Sequence, residues 1–127
     1  MTVCYDLRFP ALHNALARAD ANILTVPAAF SPVTGAAHWH TLLRARAIET
    51  GSFVIAAAQW GTHAATRGRV RETWGHSVVI DPWGKVIADA GEGAGVAMAE
   101  IDPTKAVDAR GKIPALANAR DFTVPEG

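Results

Sequence analysis

Apolar positions recur at helical spacing in two stretches of the chain and form short unbroken runs elsewhere. In residues 9–19, Leu12 and Leu16 stand four apart behind Pro10, a residue suited to the first turn of a helix. In residues 36–50, Trp39, Leu43 and Ala47 repeat at the same interval with Leu42 alongside, and Gly51 supplies a stop. The runs NILTVP (22–27) and SFVIAAAQW (52–60) read as buried strands, and 28–35 reads as a loop punctuated by Pro32 and Gly35. Three further strands are predicted at 76–81, 85–90 and 95–102. Turns at Pro82-Trp83-Gly84 and Gly91-Glu92-Gly93 join them into a meander. The polar, basic stretch 62–72 reads as an exposed loop, and the tail from Pro103 begins as a short helix and then loses its pattern. Met1, Thr2 and Val3 look like the last residues of a strand that feeds the first helix.

The class predicted is therefore α/β with mixed connectivity: strand–helix–strand first, antiparallel hairpins after. Composition fits one globular unit. The chain has 127 residues, half of them hydrophobic and 19% charged, with no internal repeat. Lys plus Arg and Asp plus Glu both number 12, a balance that argues against a nucleic-acid or membrane-surface partner. A single cysteine excludes an internal disulfide and suits a reducing compartment. No secretory leader pattern and no apolar run of about 18 residues is seen, so a cytoplasmic location is expected.

Cys4 lies between a strand end and a helix start. Backbone N–H groups and the helix dipole favour a thiolate in such a place, and the N–H of the next residue is aimed at a developing oxyanion. Position alone leaves a second reading open, a small buried hydrophobe. The surrounding residues change the balance. The stretches CYDLRFP, PAAFSPVTGAAHWHTLLRARAIET, FVIAAAQWG, WGHSVVIDPWGKVIA, AEIDP and IPAL follow one another in order. Together they resemble the nitrilase superfamily of carbon–nitrogen hydrolases, and are most similar to its branch of deaminated glutathione amidase and omega-amidases.

The resemblance implies an α-β-β-α sandwich, of which this chain would be the C-terminal half: a mixed sheet with helices on one face. It implies a Glu–Lys–Cys triad, a thioester intermediate and release of ammonia from a small ω-amide carboxylate. No cofactor and no metal is implied, and a homo-oligomer is expected for the full-length family member. Residue by residue, Cys4 matches the nucleophile and the Tyr5 N–H an oxyanion donor. Arg8 and Thr34 match positions for the substrate's distal carboxylate, and Phe30 matches a pocket wall. A guanidinium suits a carboxylate bidentately, although Arg8 could instead pair with Asp6. The family's glutamate and lysine precede the cysteine. Lys85, Lys105 and Lys112 all follow it, and Glu49 reads as a partner of Arg46. The expectation is a partial domain over 1–127 that starts just before the nucleophile and is inactive by itself. The alternative is a non-catalytic remnant or assembly module.

Other motifs yield to simpler readings. Cys4, His76 and Asp81 could form a triad, but spacing cannot show the geometry. His38 and His40 stand two apart on a helix and point to different faces, so a metal site is not expected. GEGAG (91–95) lacks the helix that a phosphate loop requires. Arg67, Arg69 and Arg71 read as a solvated loop, and Trp39, Trp60, Trp74 and Trp83 as packing residues.

Overall fold

A computed structural model describes residues 1–65 and 68–123, so Arg67 lies outside the described residues. After a short 3-10 helix at Cys4–Arg8, α1 runs Pro10–Arg18, with Pro10 in its first turn. β1 (Ile23–Thr25) leads to α2 (Pro32–Thr50), which returns the chain to β2 (Phe53–Ala56). β3 (Trp60–His63) and β4 (Arg71–Trp74) form a separate hairpin. β5 (Val78–Ile80) and β6 (Val86–Asp89) complete the main sheet, and α3 (Thr104–Lys112) and α4 (Ala115–Asn118) follow.

The main sheet has the order β1-β2-β5-β6. β1 and β2 are parallel, as the helical crossover between them requires, and the remaining pairs are antiparallel. The sheet is thus mixed, as the sequence predicts. Register decides which side is core: Leu24 pairs with Val54 and Val54 with Ile80, and all three are buried. Val26, Ala56 and Val78 extend the same apolar cluster, which Trp39, Leu43 and Ala47 of α2 cover. The i+4 repeat seen in the sequence is therefore the buried stripe of α2.

α2 begins at Pro32, four residues ahead of the predicted start at 36, so 28–35 is not all loop. Ser31 caps it by accepting the Thr34 N–H at 3.4 Å, and Pro32 fills a first-turn position where no N–H is needed. Gly35 then lies inside the helix, where its lack of a Cβ makes room for the Trp74 side chain. At the other end Gly51 takes φ 60°, the left-handed conformation of a helix C-cap. Arg110 of α3 seals this end, donating to the carbonyls of Thr50 and Ala21, the Asn22 amide oxygen and the Ser52 hydroxyl at 2.7–2.9 Å.

Three predicted elements differ. The loop expected at 62–72 is strand at its two ends, where β3 finishes and β4 begins, and the strand expected to run through Trp60 ends at Ala56. Trp60 pairs with Trp74 and His63 with Arg71, so cross-strand pairs and packing of β4 on α2 hold strands of polar sequence. The strand expected at 95–102 does not form, and Val96 and Met98 remain 84% and 85% exposed. Its apolar alternation forms no ladder with β6, the edge strand of the main sheet, and alternation alone does not make a strand. The predicted strand end at Thr2 survives as two bonds beside β1: Thr2 N–H to Thr25 O at 2.9 Å and Cys4 N–H to Pro27 O at 2.8 Å. No helix among the described residues is long and apolar enough to cross a membrane.

Candidate active site

Cys4 opens the 3-10 helix at φ 44°, in the left-handed region that non-glycine residues avoid. Such a conformation costs about 1–3 kcal/mol and needs support from its surroundings. Here the support is dense. Asp6 accepts the Val3 N–H at 2.9 Å while its own N–H returns to Val3 O, and the Cys4 N–H is held by Pro27 O. Arg46, 4% exposed on α2, donates from Nε to Leu7 O at 2.9 Å. Its Nη1 pairs with Glu49, the partnership the sequence suggests. The helix that follows the cysteine directly is thus a five-residue 3-10 turn, with α1 starting only at Pro10.

This turn places Tyr5 in a first helical position, where a backbone N–H has no acceptor within the helix. Arg8 closes the same turn. Its guanidinium carbon lies 5.4 Å from the Phe30 ring centre and 5.7 Å from that of Tyr5, and Nη1 is 3.3 Å from His38 Nδ1. Asp6 is committed to Val3, and among the described residues no carboxylate pairs with Arg8. Phe30 is 7% exposed and packs against Trp39 with ring centres 4.9 Å apart. Thr34 lies in the first turn of α2, its hydroxyl 2.9 Å from that of Ser31.

Cys4, Tyr5, Arg8, Phe30 and Thr34 line one cavity of about 250 Å³, with Ala29 and Ser31 completing the wall. Residues from two segments about 25 positions apart therefore meet, because β1 runs beside the stub that carries Cys4. Cys4 also borders a larger cavity of about 490 Å³, apolar apart from Gln59 and Ser77. Among the described residues neither cavity is lined by a carboxylate, an imidazole or an amine.

The triad of Cys4, His76 and Asp81 is not assembled. His76 Nδ1 faces Asp89 at 3.2 Å, while Asp81 accepts the backbone N–H groups of Trp83 and Lys85 in the β5–β6 turn. Sequence reasoning missed Ser31, although a serine before Pro32 is a helix-cap signal, and missed His38 as a neighbour of Arg8. Arg71, read as a loop residue, reaches Ala29 O at 2.9 Å and ties β4 to the cavity rim.

Comparison with known proteins converges on one family. Residues 1–110 match the carbon-nitrogen hydrolase family. The deaminated glutathione amidase of Synechocystis sp. is 49% identical over 116 residues, covering 91% of this chain and 41% of that protein. Nit3 of Saccharomyces cerevisiae, a nitrilase superfamily member, superposes with a TM-score of 0.79 at 38% identity, over 88% of this chain and 40% of that one. A mutant amidase from Nesterenkonia sp. AN1 superposes with a TM-score of 0.70 at 26% identity, over 93% and 39%. Its structure shows covalent addition of the acetamide moiety of fluoroacetamide at the active site cysteine. The chain thus spans about two fifths of the length of these relatives. It belongs to the carbon–nitrogen hydrolase family of the nitrilase superfamily.

Proposed function

We propose that this chain carries the nucleophile and the carboxylate-binding residues of a cysteine amidase acting on small ω-amide carboxylates. The observation that carries the reading is the convergence of Cys4, Tyr5, Arg8, Phe30 and Thr34 on one cavity. The thiolate of Cys4 attacks the amide carbon, and the N–H of Tyr5 receives the oxyanion. Collapse of the tetrahedral intermediate, with the proton taken from the thiol delivered to the leaving nitrogen, expels ammonia and leaves a thioester. Water then cleaves the thioester, releasing a carboxylic acid and restoring the thiol. Arg8 holds the distal carboxylate, with Phe30 and Thr34 shaping the pocket around it.

Hydrolysis also needs a base beside the cysteine and a cation for the oxyanion. Among the described residues the cavities that Cys4 borders offer no carboxylate, imidazole or amine, and their one cation, Arg8, is taken in this reading by the distal carboxylate. In this reading both come from a segment outside residues 1–127, and the chain alone does not turn over. Activity, like the family's assembly, belongs to the larger protein, in the cytoplasm.

A chimera tests this, in which the residues preceding the matching cysteine of the Synechocystis amidase are joined directly to Cys4 in place of residues 1–3. Deaminated glutathione is the first substrate to assay, given what the relatives are named for. The expected result is ammonia release that Cys4→Ser lowers by at least about a thousandfold. A soluble, folded chimera that releases no ammonia from any ω-amide carboxylate sinks the amidase reading and favours an assembly module.

A further inference from the structure

Away from the cavities that Cys4 borders, three side chains from separate elements converge. His40 of α2 places Nε2 2.8 Å from Oδ2 of Asp89 on β6. His76, in the segment before β5, places Nδ1 3.2 Å and 3.3 Å from the two oxygens of the same carboxylate. The nitrogen of each imidazole and one carboxylate oxygen all lie within 4.8 Å of one another. The side chains are 32%, 20% and 29% exposed for His40, His76 and Asp89, so an ion and its water can reach them.

Each group is fixed from behind. His76 sits at φ 58°, its N–H bonded to Gly91 O and its carbonyl accepting the Trp39 indole N–H at 2.8 Å. Its ring stacks on Trp74 at 4.9 Å with a 23° interplanar angle. Asp89 Oδ1 accepts the Gly91 N–H at 2.7 Å, which leaves Oδ2 as the outward ligand. Trp39, the residue before His40, is fully buried and anchors that part of α2.

Two neutral imidazoles and a carboxylate are the donors that borderline divalent transition metals take, and three protein ligands leave a fourth position for water. Bonds of about 2.0–2.1 Å set ligand atoms of a tetrahedral ion about 3.3 Å apart. With Oδ2 as the ligand, the 3.3 Å to His76 matches that edge, the 2.8 Å contact of His40 has to open slightly, and the two imidazole nitrogens lie within 4.8 Å of each other.

We propose that His40, His76 and Asp89 form a binding site for a divalent transition-metal ion of the zinc class, which clamps α2 to the β5–β6 hairpin. The site is independent of the amidase reading. It escapes a sequence search because its ligands stand 36 and 49 positions beyond His40.

The test is titration of the chelator-treated chain with Zn²⁺ by calorimetry. Co²⁺ is the spectroscopic probe, through its visible absorption and its quenching of the Trp74 that stacks on His76. The expected result is one ion per chain and a thermal midpoint raised by Zn²⁺. His40→Gln keeps a donor toward Asp89 but makes a poor ligand, and Asp89→Asn keeps the shape of the carboxylate. Each is expected to weaken binding at least about tenfold, with circular dichroism unchanged, while His38→Gln leaves it intact. If either variant loses its fold, the other carries the test. No saturable binding by the folded chain at about 100 μM Zn²⁺ overturns the proposal. So does binding that both folded variants retain.

Discussion

Arg46 donates its Nε–H to the carbonyl oxygen of Leu7 across 2.9 Å, joining the C-terminal part of α2 to the turn that presents Cys4. The bond is buried, and the same guanidinium pairs with Glu49. Replacing Arg46 with methionine keeps much of the packing but leaves a buried carbonyl without its donor. Urea denaturation is expected to show a loss of about 2 kcal/mol. Cys4 should react faster with a thiol reagent, because its left-handed conformation loses a support. An unchanged stability and thiol reactivity would contradict this role.

Arg110 makes a parallel case at the far end of α2. Its planar fork reaches Thr50, Ala21, Asn22 and Ser52 at once, a pattern that a lysine's single ammonium cannot copy. Arg110→Lys is expected to lower the thermal midpoint by about 4–8 °C, the equivalent of roughly 1 kcal/mol. Gly51→Ala should add to that loss, since a Cβ there would lie 2.8 Å from Arg110 Cγ on a backbone at φ 60°.

How far such residues are legible in the sequence depends on how local their causes are. The stripe of Trp39, Leu43 and Ala47 announces α2, because helical spacing is a property of neighbours. The cavity residues were legible through a resemblance spanning the chain, with Cys4, Tyr5 and Arg8 in one motif and Phe30 and Thr34 in another. The β3–β4 hairpin was not. Its strands are polar, and what holds them is the Trp60–Trp74 register and a helix supplied from elsewhere. The apolar alternation at Val96 and Met98 misled in the opposite direction, since a strand exists only through its pairing and these residues stay exposed and unpaired. Arg110 and the His40–His76–Asp89 cluster depend on contacts across the fold, which no local window contains.

Acid should weaken the fold in two windows. His13 is fully buried on α1, with Nδ1–H donating to Phe9 O at 3.0 Å and Nε2 without a partner. Burial, aided by the charge of Arg46 and only partly offset by the bond to Phe9, holds its pKa below the ordinary 6.5. Below that value the unfolded chain takes up a proton that the folded chain refuses, so stability falls as pH drops from about 7 to 5. His13→Leu should flatten this slope in urea titrations. An equal slope in both proteins would contradict the assignment.

Asp89 acts lower. Burial opposes its ionisation, but the Gly91 N–H and the hydrogen bonds from His40 and His76 outweigh burial and hold its carboxyl below the ordinary 3.8. Its contribution is complete above that value and is lost as pH falls through the depressed one. Asp89→Asn should therefore remove acid sensitivity only below about pH 4, a window that His13→Leu leaves unchanged.

Arg8 lines the cavity free of any carboxylate partner among the described residues, and the proposed function assigns it the substrate's carboxylate. In the chimera, Arg8→Gln is expected to raise KM for an ω-amide carboxylate at least about tenfold while leaving a neutral amide nearly unaffected. Equal losses on both substrates would place Arg8 in the support of the turn rather than in substrate binding.

The central claim is that Cys4 carries the acyl group, and acid-quenched mass spectrometry of the chimera during turnover tests it most directly. The account predicts an adduct on the Cys4 peptide with the mass of the substrate less ammonia, absent in Cys4→Ser. Steady turnover with the acyl group on another residue, or undiminished in Cys4→Ser, would contradict it.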